Sequence, residues 1–297
     1  AVDDTDSLRT ECRNILDLKP DRLDIIERLL SMAHAQKDQQ EILELCQMKL
    51  DLPLDQSGRI ESLRSAALAA QALGQTDDTE TFWQELLVAD PDAADALAAL
   101  ETIYDERGDH QALVEILDRR VELCRGTEAF VEIKIRLAEL RTRHLEDHAT
   151  ASADLEDALA EESERYDIIL MLADCYRALD LHRRLYELLG TKADDCPDEA
   201  QRLQMISELA GLEHKRFSKT DDAITHYLQV LAINPDHDEA FSGLQEVYSD
   251  TGQSEELLVL LRTRQKRTKD DVEQGQLLSQ IVSLRIENGD RDPSLIS

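Results

Sequence analysis

Basic residues are scarce in this 297-residue sequence: 33 Lys plus Arg stand against 64 Asp plus Glu, leaving a formal net charge of −31. A surface of that sign repels a polyanion, which excludes a general nucleic-acid binder and a partner of anionic bilayers. Turn formers are few as well, with ten Gly and six Pro, and Asn occurs three times, at 14, 234 and 288. So few breaks do not serve a β sandwich, and 42% hydrophobic residues are too many for a disordered acidic tail. The composition reads as helix throughout. Five cysteines, Cys12, Cys46, Cys124, Cys175 and Cys196, form no close pair, so neither a disulfide framework nor a two-residue-spaced zinc site can be drawn. They read as small buried hydrophobes in a reducing, cytoplasmic compartment. No apolar run reaches the roughly 18 residues that span a bilayer, and the first ten residues carry neither the basic nor the apolar region of a signal peptide. Direct membrane insertion is therefore not expected.

What the sequence has in abundance is self-similarity. Shifted by 72 positions, it falls on itself without a gap: Ala210 meets Ala138, Leu212 meets Leu140, Phe217 meets Leu145 and Ala223 meets Ala151. Leu244, Tyr248 and Leu261 likewise meet Leu172, Tyr176 and Leu189, and 72 residues earlier Leu100, Tyr104 and Leu117 fill the same slots. Apolar residues kept in phase over three copies are the mark of stacked supersecondary units. Within each copy the spacing of three and four predicts amphipathic helices of about 12 to 15 residues, two hairpins per copy. Turn signals bound them. Asp236 and Asp92, each following a proline, are the expected N-caps, Asp236 with Glu239 three residues on, and Gly74, Gly108 and Gly252 are expected where the first helix of a hairpin ends.

The pattern resembles the tetratricopeptide repeat (TPR), in the manner of a bacterial-type multi-repeat array. The copy starting at Gln204 places Ala210, Gly211, Ala223, Tyr227 and Pro235 at positions 7, 8, 20, 24 and 32 of the 34-residue motif, and the copy at Asp238 places Phe241, Leu244, Tyr248 and Leu261 at 4, 7, 11 and 24. The copy at Ile60 supplies Trp83 and Pro91 at 24 and 32. Position 8 is Glu in two copies, Thr79 replaces the position-20 Ala, and alternate hairpins run about four residues longer. The resemblance implies an all-α, right-handed solenoid of antiparallel hairpins over 1–297. Full hairpins are expected at 23–59, 60–93, 94–131, 132–165, 166–203, 204–237 and 238–275, with a partial repeat at 1–22 and a truncated one at 276–297. Since neither end shows a polar capping helix, the array is expected to be a piece of a longer protein.

The resemblance further implies that positions 2, 5, 9, 12 and 13 of each first helix line a concave groove. The candidates are Arg64, Leu68 and Gln71, then Ile133, Arg136, Leu140 and Arg143, then Met205, Leu212, Lys215 and Arg216. Alternate copies put acidic residues there, among them Asp95, Asp105, Glu239 and Glu246. Bands of opposite sign suit a partner protein or peptide with mixed charge and apolar anchors. The TPR mode that clamps a C-terminal carboxylate needs Asn at position 9, where Leu68, Leu140 and Leu212 stand, and is excluded on that ground.

Catalytic and metal-binding patterns are weak. His144 and His148 lie four apart but straddle an expected turn; Asp77, Asp78, Asp221 and Asp222 begin second helices, where carboxylates favour the helix dipole. The five bases within 262–269 fit a helix C-terminus, and Tyr104, Tyr176 and Tyr248 recur as packing residues. Neither cofactor nor enzymatic activity is expected. The reading is a non-catalytic interaction scaffold; the alternative is a structural spacer, or a segment that associates end to end with itself, within a larger multidomain protein.

Overall fold

A computed structural model describes residues 2–287, with side chains from residue 7 onward. Among the described residues the chain forms sixteen α-helices and no strand. It divides into two compact units, Ala1–Glu162 and Ser163–Ser297. The first unit holds α1 (Val2–Leu18), α2 (Leu23–Gln36), α3 (Gln39–Leu50), α4 (Gln56–Ala72), α5 (Thr76–Ala89), α6 (Ala94–Arg107), α7 (His110–Leu123), α8 (Glu128–His144) and α9 (His148–Glu161). The second holds α10 (Tyr166–Ala178), α11 (His182–Lys192), α12 (Glu199–Lys215), α13 (Thr220–Ile233), α14 (Asp238–Asp250), α15 (Ser254–Arg267) and α16 (Asp271–Glu287). Within each unit every helix packs against the next, which makes each an all-α solenoid of hairpins.

The helices form because each presents an apolar stripe at helical spacing, and the stripes repeat. Leu100, Leu172 and Leu244 share one register and are 0–2% exposed; burying each contributes about 1.5–3 kcal/mol. Tyr104, Tyr176 and Tyr248 are buried beside them. Trp83 and Tyr227 fill position 24 in alternate copies. Tyr227 fits because Gly211 and Gly243 leave it room: a Cβ on Gly243 would overlap the Tyr227 ring. Burial pushes the Tyr227 phenol up to about 12.

Alternate first helices are long. α4, α8, α12 and α16 each run 17 residues, three more than α6, and begin four or five residues ahead of the repeat starts at 60, 132, 204 and 276. The surplus of the longer hairpins is thus an extra N-terminal turn on the following helix, with Asp55 and Asp198 capping α4 and α12. The expected N-caps shift as well. α14 is capped by His237, whose Nδ1 accepts from the Ala240 amide, in place of Asp236; α6 begins after Ala93 in place of Asp92. Gly74, Gly108 and Gly252 do adopt positive φ, and the register of Gly74 is taken 72 residues on by Glu146 at φ 54. Asp77, Asp78, Asp221 and Asp222 occupy first turns of α5 and α13. Among the described residues no helix is long and apolar enough to cross a membrane.

Candidate interaction surface

The first helices of the hairpins carry the residues singled out in the sequence, and the structure sorts them into three groups. Ile133 and Met205 are 8% and 2% exposed: the extra N-terminal turn makes position 2 an interior position of α8 and α12, so neither presents its side chain to a ligand. Leu68 is 53% exposed, with Gln71, Arg143, Lys215 and Arg216 exposed too, whereas Leu140 and Leu212 are half-buried. The remaining two, Arg64 and Arg136, are engaged with neighbouring helices, as is Lys215 of the exposed group.

Those engagements show what becomes of the expected bands of charge. In the first unit the Arg64 guanidinium of α4 donates from Nε to Asp95 of α6 at 2.5 Å, while Arg136 of α8 reaches back to α6, meeting Glu101 at 2.6 Å and Asp105 at 3.0 Å. The hydrogen bond from Arg64 holds the Asp95 carboxyl below its ordinary value. In the second unit Arg177 of α10 meets Glu208 of α12 at 2.6 Å, and Lys215 of α12 meets Glu246 of α14 at 2.7 Å. Oppositely charged bands therefore neutralise one another as rungs between successive first helices. The register is kept while the sign is not: Arg177 and Glu208 stand 72 positions beyond Asp105 and Arg136, with charges exchanged. Half-exposed rungs contribute about 0–1 kcal/mol each, so they set register more than stability. Between them stand the outward leucines. Such a surface sets apolar side chains within a lattice of already paired charges.

A second set of charges, in the interior, escaped the sequence reading. Lys134 of α8 donates to Asp154 at 2.8 Å and to Asp157 at 2.9 Å, and Arg141 of the same helix pairs with Asp154 and, at 2.7 Å, with Asp118. Lys134, Arg141 and Asp154 are all buried. Burial lowers the Lys134 pKa, but the hydrogen bonds to Asp154 and Asp157 outweigh it and hold the ammonium above its ordinary value. In the second unit buried Glu213 meets His226 Nδ1 at 2.7 Å. In the first unit Glu41 is buried under Arg9 and Arg13. The signal was present as polar residues at core registers, since Arg141 and Glu213 share one position of the repeat and Asp154 and His226 another.

His144 ends α8 and His148 begins α9, across the turn; the His144 ring stacks on His110 with centroids 3.6 Å apart. Among the described residues no group of three or more His, Cys, Asp or Glu side chains is placed to hold a metal ion.

The fold is TPR-like. Among solved structures, a chain of the Naa15/Naa10 complex bound to HypK-THB is similar, at 13% identity and a TM-score of 0.59 over 87% of this chain and 38% of that one. The present chain thus spans well under half the length of that match. YrrB, a TPR protein with an unusual peptide-binding site, matches at 14% identity and a TM-score of 0.39, over 63% of this chain and 91% of its own. Yeast Tom70 matches at 14% and 0.41, over 97% of this chain and 60% of its own. At 13% identity the likeness to the Naa15/Naa10 chain is one of fold alone. No protein-family model and no curated protein matches the sequence.

Proposed function

We propose that the chain is a non-catalytic scaffold that holds a peptide or partner protein against the outward side chains of its first helices. The observation that carries this reading is Leu68, 53% exposed on a helix whose Leu63, Ala66, Ala67 and Ala70 are fully buried, at the register of Leu140 and Leu212 and flanked by the Arg64–Asp95 rung. An apolar residue repeated at one register and left outside the core serves as an anchor point. Arg143, Lys215 and Arg216 supply the exposed basic positions, and Gln71 a neutral one. The ligand class is a segment with acidic and basic residues around apolar anchors. A reducing, cytoplasmic setting accords with five free thiols, of which burial pushes Cys46 up to about 11, away from reactivity.

Panning a random peptide library against the chain tests the reading. Enriched peptides are expected to combine both charge signs with apolar residues, and to lose about tenfold in affinity when Leu68 and Leu140 become Glu. Peptides that bind such a variant as well as the parent overturn it.

One observation favours end-to-end self-association as a second reading. α16 exposes Val272 by 68%, Leu278 by 46% and Ile286 by 65%, whereas Leu277 and Ile281 of the same helix are buried. Sedimentation across a concentration series, with and without Val272→Asp and Ile286→Asp, separates the two readings. A single monomeric species at all concentrations removes the second.

A further inference from the structure

One cavity of the second unit lies between second helices of its hairpins. It is an open groove of about 570 Å³ between α13 and α15, floored by Leu244 and Tyr248 of α14. Its rims include Leu228 of α13 and Val259 of α15, 47% and 64% exposed. The repeat itself shows that these residues are out of pattern. In the first unit the equivalent cleft, 144 positions earlier, has a volume of about 250 Å³, and its rim positions hold Gln84 and Glu115. Gln84 donates from Nε2 to the Tyr104 hydroxyl at 2.7 Å. The copy in between carries Glu156 and Glu187 at those positions. Two preceding copies therefore place polar residues at both rims, and only here are both apolar and both exposed.

The ends of the groove are charged with opposite sign. Glu255 and Glu256 stand in the first turn of α15, and Arg264 and Arg267 in its last. Arg264 lies over the Phe241 ring, 5.3 Å from its centroid, and is held by Asp238 at 2.5 Å and Glu273 at 2.9 Å, while Arg267, 47% exposed, pairs more loosely with Asp236 at 3.4 Å. Its Nη1 is buried without an acceptor. The walls are ridges at helical spacing, Leu228, Leu231 and Ala232 on one side and Glu256, Val259 and Leu260 on the other. Both walls have spent their backbone donors and acceptors within their own helices, so an extended peptide would find no strand edge here and would leave its own amides unpaired against apolar carbon. A helix brings its amides already satisfied and its side chains at the matching ridge spacing.

We infer that this groove, walled by the second helices α13 and α15, is a second binding site for an amphipathic helix of a partner protein that lies antiparallel to α15. Its acidic first turn takes the place of Asp236 on Arg267, its basic last turn meets Glu255 and Glu256, and its apolar stripe covers Leu228 and Val259. Each terminal charge also sits where that helix's own dipole favours it. From Glu256 to Arg267 the groove accommodates about three turns, roughly 16 Å.

The test uses the full chain and a fluorescein-labelled designed helix of about 16 residues, with leucines along one stripe, Glu in the first turn and Lys in the last. Fluorescence anisotropy is expected to show saturable binding that weakens about tenfold in two settings. One is a peptide with the terminal charges exchanged or a central proline. The other is the chain carrying Leu228→Glu and Val259→Glu, residues that the preceding copy already tolerates at these positions. The peptide arms need no variant, so a folding defect cannot hide the answer. Equal binding of the charge-exchanged or proline peptide overturns the assignment, as does undiminished binding to a variant whose circular dichroism matches the parent. Concentration-dependent dimerisation of the parent, abolished by the same two substitutions, overturns it in favour of a second copy of this chain. Leu68→Glu is expected to leave this binding unchanged, so failure here is distinguishable from failure of the first-helix reading.

Discussion

Arg141 of α8 lies buried against Asp154 of α9, and the same two registers in the second unit hold Glu213 and His226, the acid now on the first helix and the base on the second. The copy at 60 fills these registers with Ala69 and Phe82 instead. One hairpin geometry therefore accepts a pair of either polarity or an apolar contact, provided that both positions change together. A lone charge there has no such partner.

Asp154→Asn should accordingly destabilise the first unit by about 3–5 kcal/mol, because it leaves Lys134 and Arg141 buried with only their outer carboxylates, Asp157 and Asp118. Urea unfolding of the parent and the variant measures this. A loss below about 1 kcal/mol would mean that water reaches the cluster.

Gly243→Ala separates local helix preference from packing. In an exposed helix the change stabilises by about 1 kcal/mol. Within α14 the added Cβ overlaps the Tyr227 ring, and overpacking of this kind is expected to destabilise by about 1–3 kcal/mol. A thermal melt decides by sign alone, since a higher midpoint would show that Tyr227 moves aside freely.

Much of this was legible in the sequence. The 72-residue step, the apolar registers and the turn glycines depend on burial and backbone geometry, which one chain displays without its neighbours. The surface was legible only in part. Arg64, Asp95, Arg136 and Asp105 were visible as charges at first-helix positions, but their pairing into rungs depends on which residue of α6 faces α4 and which faces α8. Ile133 and Met205 were misplaced for a related reason: four residues counted at the end of one hairpin belong to the start of the next helix, and the added turn covers them. The groove rimmed by Leu228 and Val259 was half legible: the change from polar to apolar at those two registers stands in the sequence, but their exposure depends on the packing of α13 and α15.

The Arg64–Asp95 rung has a pH signature. The Asp95 pKa is lowered by the hydrogen bond from Arg64, so the stabilisation is fully present above the ordinary aspartate value near 3.8 and is lost as pH falls through the lower folded value. Carboxylate NMR should find the Asp95 midpoint below 3.8 in the parent and returned toward it in Arg64→Gln. An unchanged midpoint in the variant would contradict the rung.

Salt should stabilise the chain. A net charge of −31 repels itself over distances that about 0.1–0.2 M NaCl screens, whereas the rungs that salt also weakens contribute about 0–1 kcal/mol each. Relief of repulsion prevails, and the melting temperature is expected to rise from low to moderate NaCl. A flat or falling curve would show that the internal pairs outweigh the excess.

The scaffold reading is tested most directly by photo-crosslinking. A benzophenone amino acid at position 68, on the outward face of α4, is compared with one at position 123, where Leu123 is 47% exposed at the end of α7. With a peptide enriched by panning, the account predicts a covalent adduct at 68 that excess unlabelled peptide suppresses, and none at 123. Adducts at 123 alone, or equally at both positions, would contradict it.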